Sequence, residues 1–132
     1  MRMGWNDFSL VVVGCWYENE DGSSRQDELR HCEPGEIVDL VREPENPHDH
    51  MAVAVISARG VRVGYLRSDR AQWIGSKIDR GYDVRAIAER VKGLDLDGAT
   101  LGLVIRLSIA APGEEGEPPD LPDECGPIRL VA

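Results

Sequence analysis

Apolar positions along this chain come in short runs and period-two alternations rather than in long helical stripes. Phe8 to Tyr17 is rich in β-branched and aromatic residues and predicts a first strand. Glu18 to Glu28 is polar and carries Gly22, Ser23 and Ser24, the composition of a mobile loop. The turn Pro34-Gly35 leads into a second strand, Glu36 to Arg42. Pro44 and Pro47, with Asn46 between them, disfavour helix and make 44 to 50 a tight connection. Ala52 to Ile56 is apolar throughout, as expected of a central strand covered on both faces. Arg59-Gly60 supplies a hairpin turn, after which Val61, Val63 and Tyr65 alternate with Arg62, Gly64 and Leu66 in a fourth strand.

The period then changes. Ala71, Ile74 and Ile78 recur at helical spacing, with Trp73 beside them. Ser68 offers a cap, Asp69 suits the first turn, and Arg80-Gly81 supplies a basic end and a stop. A fifth strand follows in Val84 to Val91 and a sixth in Leu101 to Ile109, with Gly98 in the turn before it. Ile128 to Val131 has the composition of a short further strand. The expected fold is mostly β: a small antiparallel barrel, OB-like or SH3-like, of about six strands with one or two short helices.

A length of 132 residues fits one domain. We assign residues 1–112 to the barrel and residues 113–132 to an acidic, proline-rich tail, loosely attached or disordered. The longest apolar run, Leu10 to Val13, falls far short of the roughly 20 residues of a membrane helix. Met1 to Asp7 lacks the apolar stretch of a signal peptide, so a cytoplasmic location is expected. Cys15, Cys32 and Cys125 are odd in number and far apart, which argues for free thiols over a disulfide framework.

Net charge is −9, which at first disfavours nucleic acid, but its distribution alters the reading. Gly113 to Glu124 carries six acids and no base, and Glu18 to Glu28 carries five acids against Arg25. Ser57 to Lys92 has the opposite sign, with nine basic residues against four acidic ones. A dipolar chain with a basic middle attracts phosphate locally, although such charges also simply solvate outer faces.

One segment is specific. Arg42-Glu43-Pro44-Glu45-Asn46-Pro47-His48-Asp49 precedes an alanine-led strand at Ala52. It resembles the signature of the HIRAN domain family, Arg-acid-Pro-x-Asn-Pro-aromatic-Asp. Val12 to Tyr17 resembles the family's first strand, and Gly64-Tyr65-Leu66 its Gly-(Tyr/His)-Leu strand, so that the likeness runs from about Ser9 to about Val91. His48 stands where a larger aromatic is usual, and Trp16 where eukaryotic relatives often carry a base. The resemblance, closest to free-standing bacterial members, implies a barrel that captures the 3′ end of single-stranded DNA in repair or processing. It places the end pocket on Tyr17, His48, Asp49 and Tyr65. Arg42, Arg67 and Arg70 are candidate phosphate contacts.

Those residue types suit that ligand. A terminal 3′-hydroxyl is a donor that a carboxylate such as Asp49 accepts in a charge-assisted bond, whereas an internal phosphate would repel it. The rings of Tyr17 and Tyr65 offer stacking at ~1–3 kcal/mol per base. Asp49 also has a purely local reading, as a turn-forming carboxylate that accepts backbone N–H groups. The expected partners are a single-stranded DNA end and a DNA-processing protein. No Gly-x-x-x-x-Gly-Lys-Ser/Thr is present, so any ATPase or helicase activity would belong to that partner. No cofactor or metal is expected: His31, Cys32, His48 and His50 include no Cys-x-x-Cys. Two other readings stand beside DNA binding: a protein-interaction module whose acidic tail engages a basic partner, and a zinc-binding domain using His31, Cys32, His48 and His50 or a hydrolase-associated one using Cys15 or Cys32 with a histidine.

Overall fold

The computed structural model describes residues 7–114 and 118–121. It contains six strands and two helices in the order β1 (Phe8–Val11), α1 (Arg25–Leu29), β2 (Ile37–Arg42), β3 (Val53–Ile56), β4 (Arg62–Tyr65), α2 (Ser68–Asp79), β5 (Asp83–Lys92) and β6 (Gly102–Ala110). All pairings are antiparallel, in the spatial order β1-β6-β5-β2-β3-β4. The mostly β, OB-like architecture expected from the patterning is the one observed.

The sheet curls until its outer strands meet. Just beyond β1, Val13 N–H donates to the Tyr65 carbonyl at 2.8 Å, and Tyr65 N–H donates to the Val13 carbonyl at 2.9 Å. Gly64 permits this approach: a Cβ there would lie 2.5 Å from Val12 Cγ1 and 2.6 Å from the Val13 carbonyl oxygen. One core fills the curl. Leu29 of α1, Ile74 of α2, Val53 and Val55 of β3, and Leu103, Ile105 and Leu107 of β6 are all fully buried in it. β3 is covered on both faces, as its continuous apolar run requires.

Three local expectations differ from what is observed. The first strand ends at Val11, because Gly14 takes φ +78° and turns the chain, leaving Tyr17 in a turn with its N–H on the Gly14 carbonyl at 3.2 Å. The segment expected as a mobile loop contains α1, capped by Ser24, whose hydroxyl accepts from Asp27 N–H at 3.1 Å. Gln26 then ties α1 to the sheet, donating to the Cys15 and Leu101 carbonyls at 2.9 Å each and accepting from Leu101 N–H at 2.7 Å. Five helical residues are too few to show a period, so the apolar count there reads as loop. In α2, Ser68 lies inside the helix; Arg67 occupies the cap position and makes no side-chain capping bond.

β2 and β5 pair only at Ile37–Ile87 and Val38–Ala86, then part. Pro118 lines the groove so formed, with Leu40 and Val84, and the adjacent Pro119 is buried. The strand expected at 128–131 and Cys125 lie outside the described residues. Among those described, no helix is long and apolar enough to cross a membrane.

Candidate functional site

The connection from β2 to β3 is held by a nest of side-chain to backbone bonds. Asn46 Oδ1 accepts from His48 N–H at 2.8 Å and from Asp49 N–H at 3.2 Å, while Asn46 Nδ2 donates to Glu43 Oε1 at 3.0 Å. Asp49 Oδ1 accepts from Met51 N–H at 2.8 Å. Glu43 N–H closes the base of the loop on the Ala52 carbonyl at 2.9 Å. Pro44 and Pro47 lack N–H groups, so Asn and Asp side chains organise the chain between them. The local reading of Asp49 is therefore realised by one oxygen. Its other oxygen has no hydrogen-bond partner among the described residues.

Glu43 joins this loop to β4. Its Oε1 also accepts the Tyr65 hydroxyl at 2.8 Å, and its Oε2 lies 3.4 Å from Arg62 Nε. Burial, and next the bond to Glu43, push the Tyr65 phenol above its ordinary pKa, so it stays a donor.

Tyr17, His48, Asp49 and Tyr65 share the wall of one open cavity of about 750 Å³. Three segments supply them: the turn after β1, the Asn46 loop and the end of β4. The three arginines expected as phosphate contacts do not themselves line it, although Arg67 lies between Leu66 and Ser68, which do. Arg42 donates to the Gly75 carbonyl at 3.1 Å and pairs with Asp79, joining β2 to α2 away from the cavity. Arg67 is exposed and pairs with Asp69 at 3.2 Å, one residue from the cavity-lining Ser68; Arg70 is exposed on the first turn of α2.

Two other arginines line the cavity instead, Arg25 and Arg62. Their guanidinium carbons lie 5.5 and 5.7 Å from the Tyr65 ring centroid. Arg62 carried a weak signal as a polar position on an alternating strand. Arg25 carried none beyond being the lone base of an acidic loop, because only the unrecognised helix α1 aims it at the cavity. Trp16 and Tyr17, both mostly exposed, pair with ring centroids 5.4 Å apart. Trp16 thus extends the aromatic surface beyond the residues singled out from the sequence.

Cys15 and Cys32 are buried free thiols, and burial raises both above the ordinary thiol pKa. Such thiols are protonated and poor nucleophiles at neutral pH. Among the described residues no group of three or more His, Cys, Asp or Glu side chains is arranged to hold a metal ion.

The chain matches the HIRAN domain over residues 6–108. It belongs to the HIRAN domain family. The crystal structure of the HIRAN domain of human HLTF is similar to it, with a TM-score of 0.61 and 18% identity over 82% of this chain and 78% of that one. The same domain of HLTF in its DNA-bound conformation, solved by NMR, gives 0.55 and 18% over 83% and 78%. A protein from Lactobacillus plantarum gives 0.54 and 26% over 77% of this chain and 98% of its own. No curated protein matches. At these identities the two HLTF structures speak for the fold, and the HIRAN match for the family.

Proposed function

We propose that this HIRAN domain is a nucleic-acid-binding module that holds the 3′-hydroxyl end of a single DNA strand, without catalysis of its own. One observation carries the reading. Asp49, one of whose carboxylate oxygens has no hydrogen-bond partner among the described residues, lines a cavity that it shares with Tyr17, Tyr65 and two arginines. A hydroxyl donor satisfies that oxygen, and a terminal phosphate repels it. The rings provide stacking that is indifferent to base identity. The DNA-bound conformation of the HLTF domain supports the same ligand class. The role belongs to strand-end capture in repair or processing, with any ATPase or helicase activity supplied by a partner.

The deciding experiment titrates the full chain with two single-stranded oligonucleotides of one sequence, ending in a 3′-hydroxyl or a 3′-phosphate, at low salt. Tighter binding of the hydroxyl end is expected. Absence of binding to either strand would remove the reading.

An interaction module built around the acidic tail draws support from a different feature. Pro118 lines the groove where β2 and β5 part, and the adjacent Pro119 is buried, so this stretch of the tail lies against the sheet. Under that reading, removal of residues 113–132 abolishes partner capture. Under the DNA reading, the tail acids compete with DNA for the basic middle of the chain, so the same deletion strengthens end binding; unchanged or weaker binding would rule the competition out.

A further inference from the structure

Arg25 is 6% exposed, and a buried guanidinium ordinarily faces a carboxylate. The other arginines withdrawn from solvent do so: Arg42 faces Asp79, Arg62 faces Glu43, and Arg106 faces Asp7 and Glu89. Arg25 faces none among the described residues. Its Nε donates to Asn19 Oδ1 and its Nη1 to the Gly14 carbonyl, both at 2.8 Å and both neutral. Asn19 is itself fixed, its Nδ2 donating to Ser23 Oγ at 2.9 Å and to the Arg62 carbonyl at 2.8 Å. The fork is held in place on two of its nitrogens, while Nη2 makes no hydrogen bond to the described residues. Its guanidinium has no ion-pair partner among the described residues and lines, with Arg62, Glu20 and Asp49, the wall of the cavity.

We propose that Arg25 is a phosphate-binding residue of this cavity and contacts the phosphodiester that joins the terminal nucleotide to its strand. The inference rests on the end-binding reading. A nucleotide seated with its 3′-hydroxyl on Asp49 carries its 5′-phosphate on the same sugar, and Asp49 and Arg25 line one open cavity of about 750 Å³, room for a single nucleotide. A planar guanidinium already oriented by protein bonds loses little freedom on meeting phosphate oxygens. Asp49 and Arg25 then divide the recognition: the carboxylate selects the free hydroxyl, and the guanidinium requires an anion one sugar away.

The test is a double-mutant cycle on the full chain. A 3′-hydroxyl oligonucleotide is compared with the same strand carrying an uncharged methylphosphonate at its last linkage only. The wild type should bind the modified strand about tenfold more weakly, the size of one hydrogen bond to a charged group. Arg25→Gln should bind the normal strand about as weakly and show no further loss on modification. Its plot of log affinity against log salt should be shallower by about 0.7, the contribution of one phosphate on a single strand. If circular dichroism shows that Arg25→Gln is unfolded, Arg25→Lys takes its place in the cycle, with a reduced methylphosphonate penalty expected. Normal wild-type binding of both strands, or an equal methylphosphonate penalty in wild type and variant, overturns the role of Arg25 and leaves end binding standing. Failure of the wild type to bind the unmodified strand removes both.

Discussion

The Tyr65 hydroxyl donates to Glu43 Oε1 at 2.8 Å, so the acid of the signature orients a ring on a different strand. Glu43 faces the loop and β4, and does not line the main cavity. Glu43 fixes the position of Tyr65 and of Asn46, whose Nδ2 shares the same oxygen. Glu43→Ala leaves two donors without their acceptor and should destabilise the fold by about 1–3 kcal/mol, measured by urea unfolding. Glu43→Gln keeps one acceptor oxygen and should cost less.

Burial of Tyr65, and next its bond to Glu43, sets an alkaline limit. Tyr65 has a raised pKa in the folded chain, so above the ordinary tyrosine value of about 10 the folded state binds more protons than the unfolded one. The stability it contributes is complete below that pH and is lost as pH rises through the folded value. Tyr65→Phe should flatten the alkaline decline, followed by thermal unfolding between pH 9 and about 11.

Asp49→Ala should weaken binding of a 3′-hydroxyl strand by ~1.5–3 kcal/mol, and of a 3′-phosphate strand much less. Tyr17→Ala should weaken both by ~1–3 kcal/mol, because stacking does not sense the terminal group. Fluorescence anisotropy with the two oligonucleotides separates these patterns. Equal losses from Asp49→Ala on both would show that this carboxylate serves only its own turn.

Arg59 clamps α1 to the start of β2. It donates to Glu28 Oε2 at 2.6 Å and to both Glu36 oxygens at 2.8 and 2.9 Å. The hydrogen bonds from Arg59 hold Glu36 at a pKa of about 2, below its ordinary 4.5. This stabilisation is present above pH 4.5 and is lost as pH falls toward about 2. Arg59→Gln should lower stability at neutral pH and reduce its decline across that interval, read by circular dichroism during acid titration. Hydrogen exchange should quicken at α1 amides, since Glu28 is buried there.

Gly64→Ala should be among the most damaging small substitutions, at about 1–3 kcal/mol or more. The added methyl meets the Val13 carbonyl, a backbone atom that cannot swing aside. A denaturant midpoint equal to the wild type would show that the sheet closes some other way.

The strands were legible because their cause is local. Alternation in Val61 to Leu66 and the apolar run Ala52 to Ile56 reflect which faces water reaches, and that is written along the chain. The Asn46 loop was legible for the same reason, since its organising bonds span no more than three residues. Helix α1 was not, because its stability comes from Gln26 reaching Leu101, 75 residues away, rather than from a helical period.

Sequence alone therefore determined the class of fold, the β2–β3 loop and the rings and carboxylate that share the cavity. Tertiary structure decided which arginines stand beside them. Sequence pointed to Arg42, Arg67 and Arg70, of which Arg42 pairs with Asp79 on α2 and Arg67 stands exposed beside the cavity-lining Ser68. Arg25 and Arg62 reach the cavity because the β1–β4 bridge at Val13 and Tyr65 closes the curl and α1 docks beside it. Charge acts through space at a few ångströms, and only closure of the sheet determines which charges come within that range.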